Sequence, residues 1–129
     1  MKKVLILGGT SDIGKHIVYG FGKRGYDIIV TGRDNKRLNE IKEYTIKNYN
    51  IKIQDYILDV EKFNSHEDFL NSLDDLPEIT VCCFGYYEDQ DEAFNKFEEA
   101  LRTINVNYSG AVSLINRISK RYMEKKNGS

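Results

Sequence analysis

The stretch Val4-Leu5-Ile6-Leu7-Gly8-Gly9-Thr10-Ser11-Asp12-Ile13-Gly14 decides the fold of this chain. Four apolar residues make a short buried strand, and a glycine-rich turn follows at once. Ile13, Ile17 and Phe21 then recur at helical spacing, so the turn opens directly into a helix. A strand that feeds a helix through glycines leaves backbone N–H groups at the positive end of the helix dipole. That geometry holds a phosphate. The unit reads as the first βα turn of a dinucleotide-binding fold.

Working outward, the first helix is expected from about Ile13 to Arg24, with Gly25 as a left-handed cap. Asp27 to Thr31 reads as a second strand with Gly32-Arg33-Asp34-Asn35 as its exit. Leu38, Ile41 and Thr45 mark one face of a second helix. Ile51 to Leu58 reads as strand 3, ending at Asp59-Val60. A short third helix follows, with Ser65-x-x-Asp68 as a capping box, and stops before Pro77. Ile79 to Phe84 is strand 4, ended by Gly85. From about Ala93 to Met123 a single long helix is expected, its buried stripe being Phe97, Leu101, Ile104, Tyr108, Val112, Ile115 and Ile118. Strand and helix alternate four times, with crossovers long enough for right-handed βαβ units. The chain ends where a fifth strand would begin.

At 129 residues the chain is sized for one domain with a real core. A net charge of −1 provides no basic field for nucleic acid or an anionic membrane. The apolar runs are strand-sized, so neither a membrane span nor a signal peptide is expected. Cys82 and Cys83 are the only cysteines, adjacent in an apolar run. They lack a second pair for a metal site or disulfide framework, and a reduced, cytoplasmic setting is expected.

Ligands of an open α/β sheet bind beyond the carboxyl ends of its strands. Gly8 to Gly14, Arg33, Asp59 and Gly85 all fall at such ends. Arg33 is either a guanidinium fork for a 2′-phosphate, with Lys36 and Arg37 as helpers, or a solvated residue of a polar turn. Asp59 either reaches a ligand or caps the turn that follows it. Asn105 is a polar residue set in an apolar helix stripe.

Leu-Gly-Gly-Thr-Ser-Asp-Ile-Gly (7–14), Thr-Gly-Arg (31–33), Leu-Asp-Val (58–60) and Ile-Asn-Val (104–106) resemble successive motifs of the short-chain dehydrogenase/reductases. The resemblance runs the length of the chain and covers the N-terminal half of that fold. It implies a Rossmann-like three-layer α/β/α domain with a parallel sheet of strand order 3-2-1-4, cut before strand 5. Gly8 would make the tight turn and Gly14 would let the helix approach the sheet. The amides of Asp12 and Ile13 would face the pyrophosphate, with the Thr10 and Ser11 hydroxyls beside them. Asp12 stands where the family has glycine, and would turn away to cap the first helix. Asp59 would lie at the adenine edge, with Val60 supplying backbone, and Asn105 would help hold the proton-relay water. The family's Asn-Asn-Ala-Gly is Cys82-Cys83-Phe84-Gly85 here, so only Gly85 carries over.

An acidic residue ending strand 2 would select NAD. Gly32-Arg33 selects NADP instead. The implied activity is hydride transfer between NADP(H) and a carbonyl or alcohol carbon, with a small-molecule substrate engaged only by a full-length parent. Self-association is expected, through the outer edge of strand 4. The other reading is a dinucleotide-binding sensor or scaffold without turnover.

Two further patterns are set aside. Gly9-x4-Gly14-Lys15 matches a P-loop except that His16 replaces the magnesium-binding hydroxyl. Tyr122-x-x-x-Lys126 has the spacing of the family's catalytic pair but sits at the end of the long helix, without the strand and serine that precede that pair. No metal site is expected, and His16 and His66 read as surface helix residues.

Overall fold

A computed structural model describes residues 2–87 and 89–129. In chain order the elements are β1 (Lys3–Leu7), α1 (Asp12–Lys23), β2 (Asp27–Gly32), α2 (Asn35–Asn48) and β3 (Ile53–Ile57). A 3₁₀ turn (Phe63–Ser65), α3 (His66–Ser72) and β4 (Ile79–Cys82) follow. The chain then runs through α4 (Gln90–Asn95), α5 (Phe97–Ile104), a π-helical turn (Asn105–Gly110) and α6 (Ala111–Lys125). The sheet is parallel in the order β3-β2-β1-β4. This is the Rossmann-like arrangement with strand order 3-2-1-4.

Central β1 is buried on both faces, as a parallel strand covered by helices must be. Val4, Leu5, Ile6 and Leu7 are all 0% exposed. Because side chains alternate along a strand, Val4 and Ile6 join Val18, Leu38 and Ile41 under α1 and α2. Leu5 and Leu7 join Phe69, Leu70, Val106, Leu114 and Ile118 under α3 and α6. Leu38, Ile41 and Thr45 are the buried face of α2, as their spacing requires.

The long C-terminal helix is neither continuous nor turned as its periodicity suggests. Extended backbone at Lys96 separates α4 from α5, and the π turn separates α5 from α6. The face on the sheet is Val106, Gly110, Leu114 and Ile118, spaced by four. Phe97, Leu101, Ile104, Tyr108, Val112 and Ile115, expected in the core, are exposed. Both faces are apolar, and the extra residue of a π turn shifts which of them meets the sheet.

The outer edge of β4 is not wholly open. Thr80 N–H donates to the Ser129 carbonyl at 2.8 Å, and Ser129 N–H donates to the Glu78 carbonyl at 2.7 Å. This is the slanted pattern of a parallel pair. Left-handed Lys126 and Gly128 bring the chain back to that edge. Among the described residues no helix is long and apolar enough to cross a membrane.

Candidate dinucleotide groove

The turn after β1 is shaped by missing side chains. Gly8 has φ +82°, and a Cβ there would stand 2.5 Å from Phe84 Cα in the chain leaving β4. A Cβ on Gly14 would stand 2.3 Å from the Gly8 carbonyl oxygen, so helix and turn touch backbone to backbone. Gly9 N–H donates to the Thr31 carbonyl at 2.9 Å, tying the turn to the end of β2. Gly32 keeps that end clear: a Cβ would meet the Thr10 methyl at 2.6 Å.

Ser11 caps α1, its Oγ accepting from Gly14 N–H at 2.9 Å. The cap therefore belongs to Ser11, and not to Asp12. Asp12 is exposed in the first turn, 3.9 Å from Lys15 Nζ. Its carboxylate favours the positive end of the helix and points away from the groove. The amides of Asp12 and Ile13 open the helix, where no intrahelical acceptor exists for them. Ile13 is 72% exposed, which no packing reason accounts for.

A groove of about 230 Å³ runs across the strand ends, its walls including Gly8, Thr10, Ser11, Arg33, Val60 and Gly85. It crosses from β1 to β4, where the strand order reverses. Arg33 and Arg37 both line it, and Lys36 does not. Arg37 pairs with Asp34 at 3.8 Å, whereas Arg33 is exposed with no carboxylate in salt-bridge range among the described residues. Asp59 turns to its own loop, its Oδ1 accepting from Glu61 N–H at 3.0 Å, and leaves Leu58 and Val60 as the wall. A larger groove of about 610 Å³ lies between α3 and α6, not at the strand ends, and ion pairs of Arg117 and Arg121 with Glu67 line it.

Asn105 starts the π turn, off the groove lining and without a side-chain hydrogen bond among the described residues. The asparagine that reaches the strand ends is Asn107, two residues on. Its Oδ1 accepts from Tyr86 N–H and its Nδ2 donates to the Tyr86 carbonyl, each at 2.8 Å. The sequence signal was the pair Asn105-x-Asn107, and only the path of the π turn distinguishes the two.

His66 is also misplaced by the sequence reading. It is 0% exposed, its Nδ1 2.8 Å from Ser113 Oγ, and among the described residues its Nε2 has no partner in hydrogen-bond geometry. Burial holds its pKa below the ordinary value of 6.5, against the pull of the nearby Val60 carbonyl. Ser65 makes no capping bond, since its hydroxyl donates to the Lys62 carbonyl within the 3₁₀ turn. Cys82 is exposed, and half-buried Cys83 donates its thiol to the Leu7 carbonyl at 3.2 Å. Burial pushes the Cys83 thiol up to about 11, so it is no nucleophile. Tyr122 donates to the Pro77 carbonyl at 2.7 Å and meets Thr80 Oγ1 at 2.5 Å, away from the groove. Its burial raises the phenol pKa. Among the described residues no cluster of His, Cys, Asp or Glu could hold a metal.

A glycine turn between a central parallel strand and a helix, opening on the crevice where strand order reverses, defines the Rossmann class of dinucleotide-binding folds. Within that class the chain belongs to the short chain dehydrogenase family, whose model matches residues 2–129. It is 26% identical over 134 residues to a Mus musculus protein described as dehydrogenase/reductase SDR family member 7, covering 97% of this chain and 39% of that one. A short-chain dehydrogenase from Sphingobium yanoikuyae in complex with NADPH superposes with TM-score 0.86 at 21% identity, covering 99% of this chain and 51% of that one. Serine dehydrogenase from Escherichia coli superposes with TM-score 0.80 at 27% identity, covering 98% and 58%. The chain thus spans about half the length of these solved structures.

Proposed function

We propose that these residues are the NADP(H)-holding part of a short-chain dehydrogenase/reductase, whose complete form transfers hydride to or from a carbonyl or alcohol carbon. The observation that carries the reading is Arg33, an exposed guanidinium on the wall of a glycine-cradled groove at the end of β2. The pyrophosphate would lie on the Asp12 and Ile13 amides, with Thr10 beside it and Ser11 holding the helix start. Leu58 and Val60 would flank the adenine, with Gly85 opposite. The NADPH complex of the Sphingobium yanoikuyae neighbour supports the same cofactor. A bound cofactor would supply the hydride; this chain's residues bind and orient it.

Titrating NADPH and NADH against wild type and Arg33→Ala tests this. The substitution should weaken NADPH by about 1.5–3 kcal/mol more than NADH, the range of charge-assisted bonds to a phosphate. Equal losses would sink the assignment.

These residues alone are proposed to leave substrate unturned. Tyr122 supports this, since its phenol is committed to Pro77 and Thr80 and its pKa is raised, the reverse of what a general acid at neutral pH needs. Loss of reduced cofactor with a panel of aldehydes and ketones would overturn it. Self-association is proposed too, supported by the exposed apolar face of α5 and α6 more than by the edge of β4. A monomer in sedimentation at high concentration would count against it.

A further inference from the structure

Arg102 reaches two loops at once. It lies on the face of α5 that carries Glu99 and Thr103, opposite the exposed Phe97, Leu101 and Ile104. Its Nε stands 3.8 Å from Glu61 Oε2, and its guanidinium carbon lies 4.4 Å from the centre of the Tyr86 ring. Glu61 directly follows Val60, the groove wall after β3. Tyr86 directly follows Gly85, the wall after β4.

Each partner is fixed from its other side. The Tyr86 hydroxyl donates to Glu99 Oε2 at 2.6 Å, and its main chain is held by Asn107. Glu61 N–H is held by Asp59. Arg102 Nε is buried and has no partner in hydrogen-bond geometry among the described residues; the charge pair and the ring are the contacts that place it. A planar guanidinium can lay its face on an aromatic ring while an edge faces a carboxylate. An ammonium cannot do both.

We propose that Arg102 is a positioning residue that sets the gap between the two loop walls of the groove, coupling the loop after β3 to the loop after β4. Its bearing on cofactor rests on the groove being the dinucleotide site. Among the described residues, the side-chain bonds of Asn107 hold the second loop and those of Asp59 the first, whereas Arg102 meets both.

The test is amide hydrogen exchange on the 129-residue chain as wild type, Arg102→Ala and Arg102→Lys, with NADPH affinity measured in parallel. In Arg102→Ala the hydrogen-bonded amides of Glu61, Lys62 and Tyr86 should exchange about tenfold faster together, while the amides of β1 and β2 keep wild-type rates. NADPH binding should weaken by roughly threefold to tenfold over the same change. Arg102→Lys should speed Tyr86 and spare Glu61 and Lys62, because it keeps the charge and loses the stack. Acceleration of neither loop, of one alone in Arg102→Ala, or of the whole sheet equally would overturn the coupling. Wild type that binds no NADPH, with the variants still showing the exchange pattern, would overturn the cofactor reading and leave the coupling supported.

Discussion

The turn after β1 and the loop after β4 face each other across one groove and are built by opposite means. In the first, backbone rests on backbone: positions 8 and 14 would place a Cβ within 2.5 Å of main-chain atoms. In the second, side chains do the holding. Asn107 takes both main-chain groups of Tyr86, and Arg102 and Glu99 fix its ring and hydroxyl. Gly85 has ordinary space around it, with only Asn107 Oδ1 at 3.4 Å from a would-be Cβ. One wall is defined by side chains absent at positions 8 and 14 and tolerates none there. The other is defined by present ones and is adjustable one residue at a time.

The largest expected effect would come from breaking the first wall. Gly14→Val puts its branched carbon against the Gly8 carbonyl, and neither helix nor turn can retreat without losing the Ser11 cap. A loss of about 3 kcal/mol or more is expected, read as thermal unfolding at lower temperature, with NADPH binding abolished. Wild-type unfolding would mean that the helix has room to move and that the backbone description is wrong.

A smaller and more local effect is expected on the second wall. Asn107→Ala removes two bonds at a surface loop, costing about 1–2 kcal/mol and appearing mainly as faster exchange at the Tyr86 amide. Asn105→Ala should stay within about 0.5 kcal/mol of wild type. The reverse order would show that Asn105, and not Asn107, anchors the loop after β4.

The smallest effect is a pH dependence from His66. Its folded pKa is below 6.5, so above that value both folded and unfolded chains are neutral there and no pH dependence arises from it. As pH falls below 6.5 the unfolded chain takes up a proton that the folded chain resists, and stability declines. Arg117 opposes charging and Asp59 favours it, with burial the larger influence. Unfolding temperatures at pH 7.5 and 5.5 should differ more for wild type than for His66→Gln. Equal differences would show that the ring is not kept neutral.

Residues near in sequence were the most legible. The turn from Gly8 to Gly14 and the buried face of α2 rest on contacts within a few residues, whereas the strand order came from the resemblance to the family, since it rests on pairs as distant as Leu5 and Thr80. Even there the choice between neighbouring polar side chains was not readable, and Ser11 rather than Asp12 proved to be the cap. His66 was read as exposed for its polarity, although it stands three, four and seven residues before Phe69, Leu70 and Leu73 and so shares their buried face. What the spacing could not show is its polar partner, Ser113, 47 positions away.

By itself the sequence determined an α/β alternation, a glycine turn between β1 and α1 and an arginine after β2, because glycines and strand-length apolar runs act locally. Tertiary structure decided which apolar face of α5 and α6 meets the sheet, which asparagine reaches Tyr86, and that Arg102 bridges two loops. Those outcomes depend on the rotation introduced by the π turn and on partners 16 to 41 residues apart, Tyr86 and Glu61 lying that far before Arg102. A pattern with two apolar faces is compatible with either orientation, and only packing against β1 and β4 selects one.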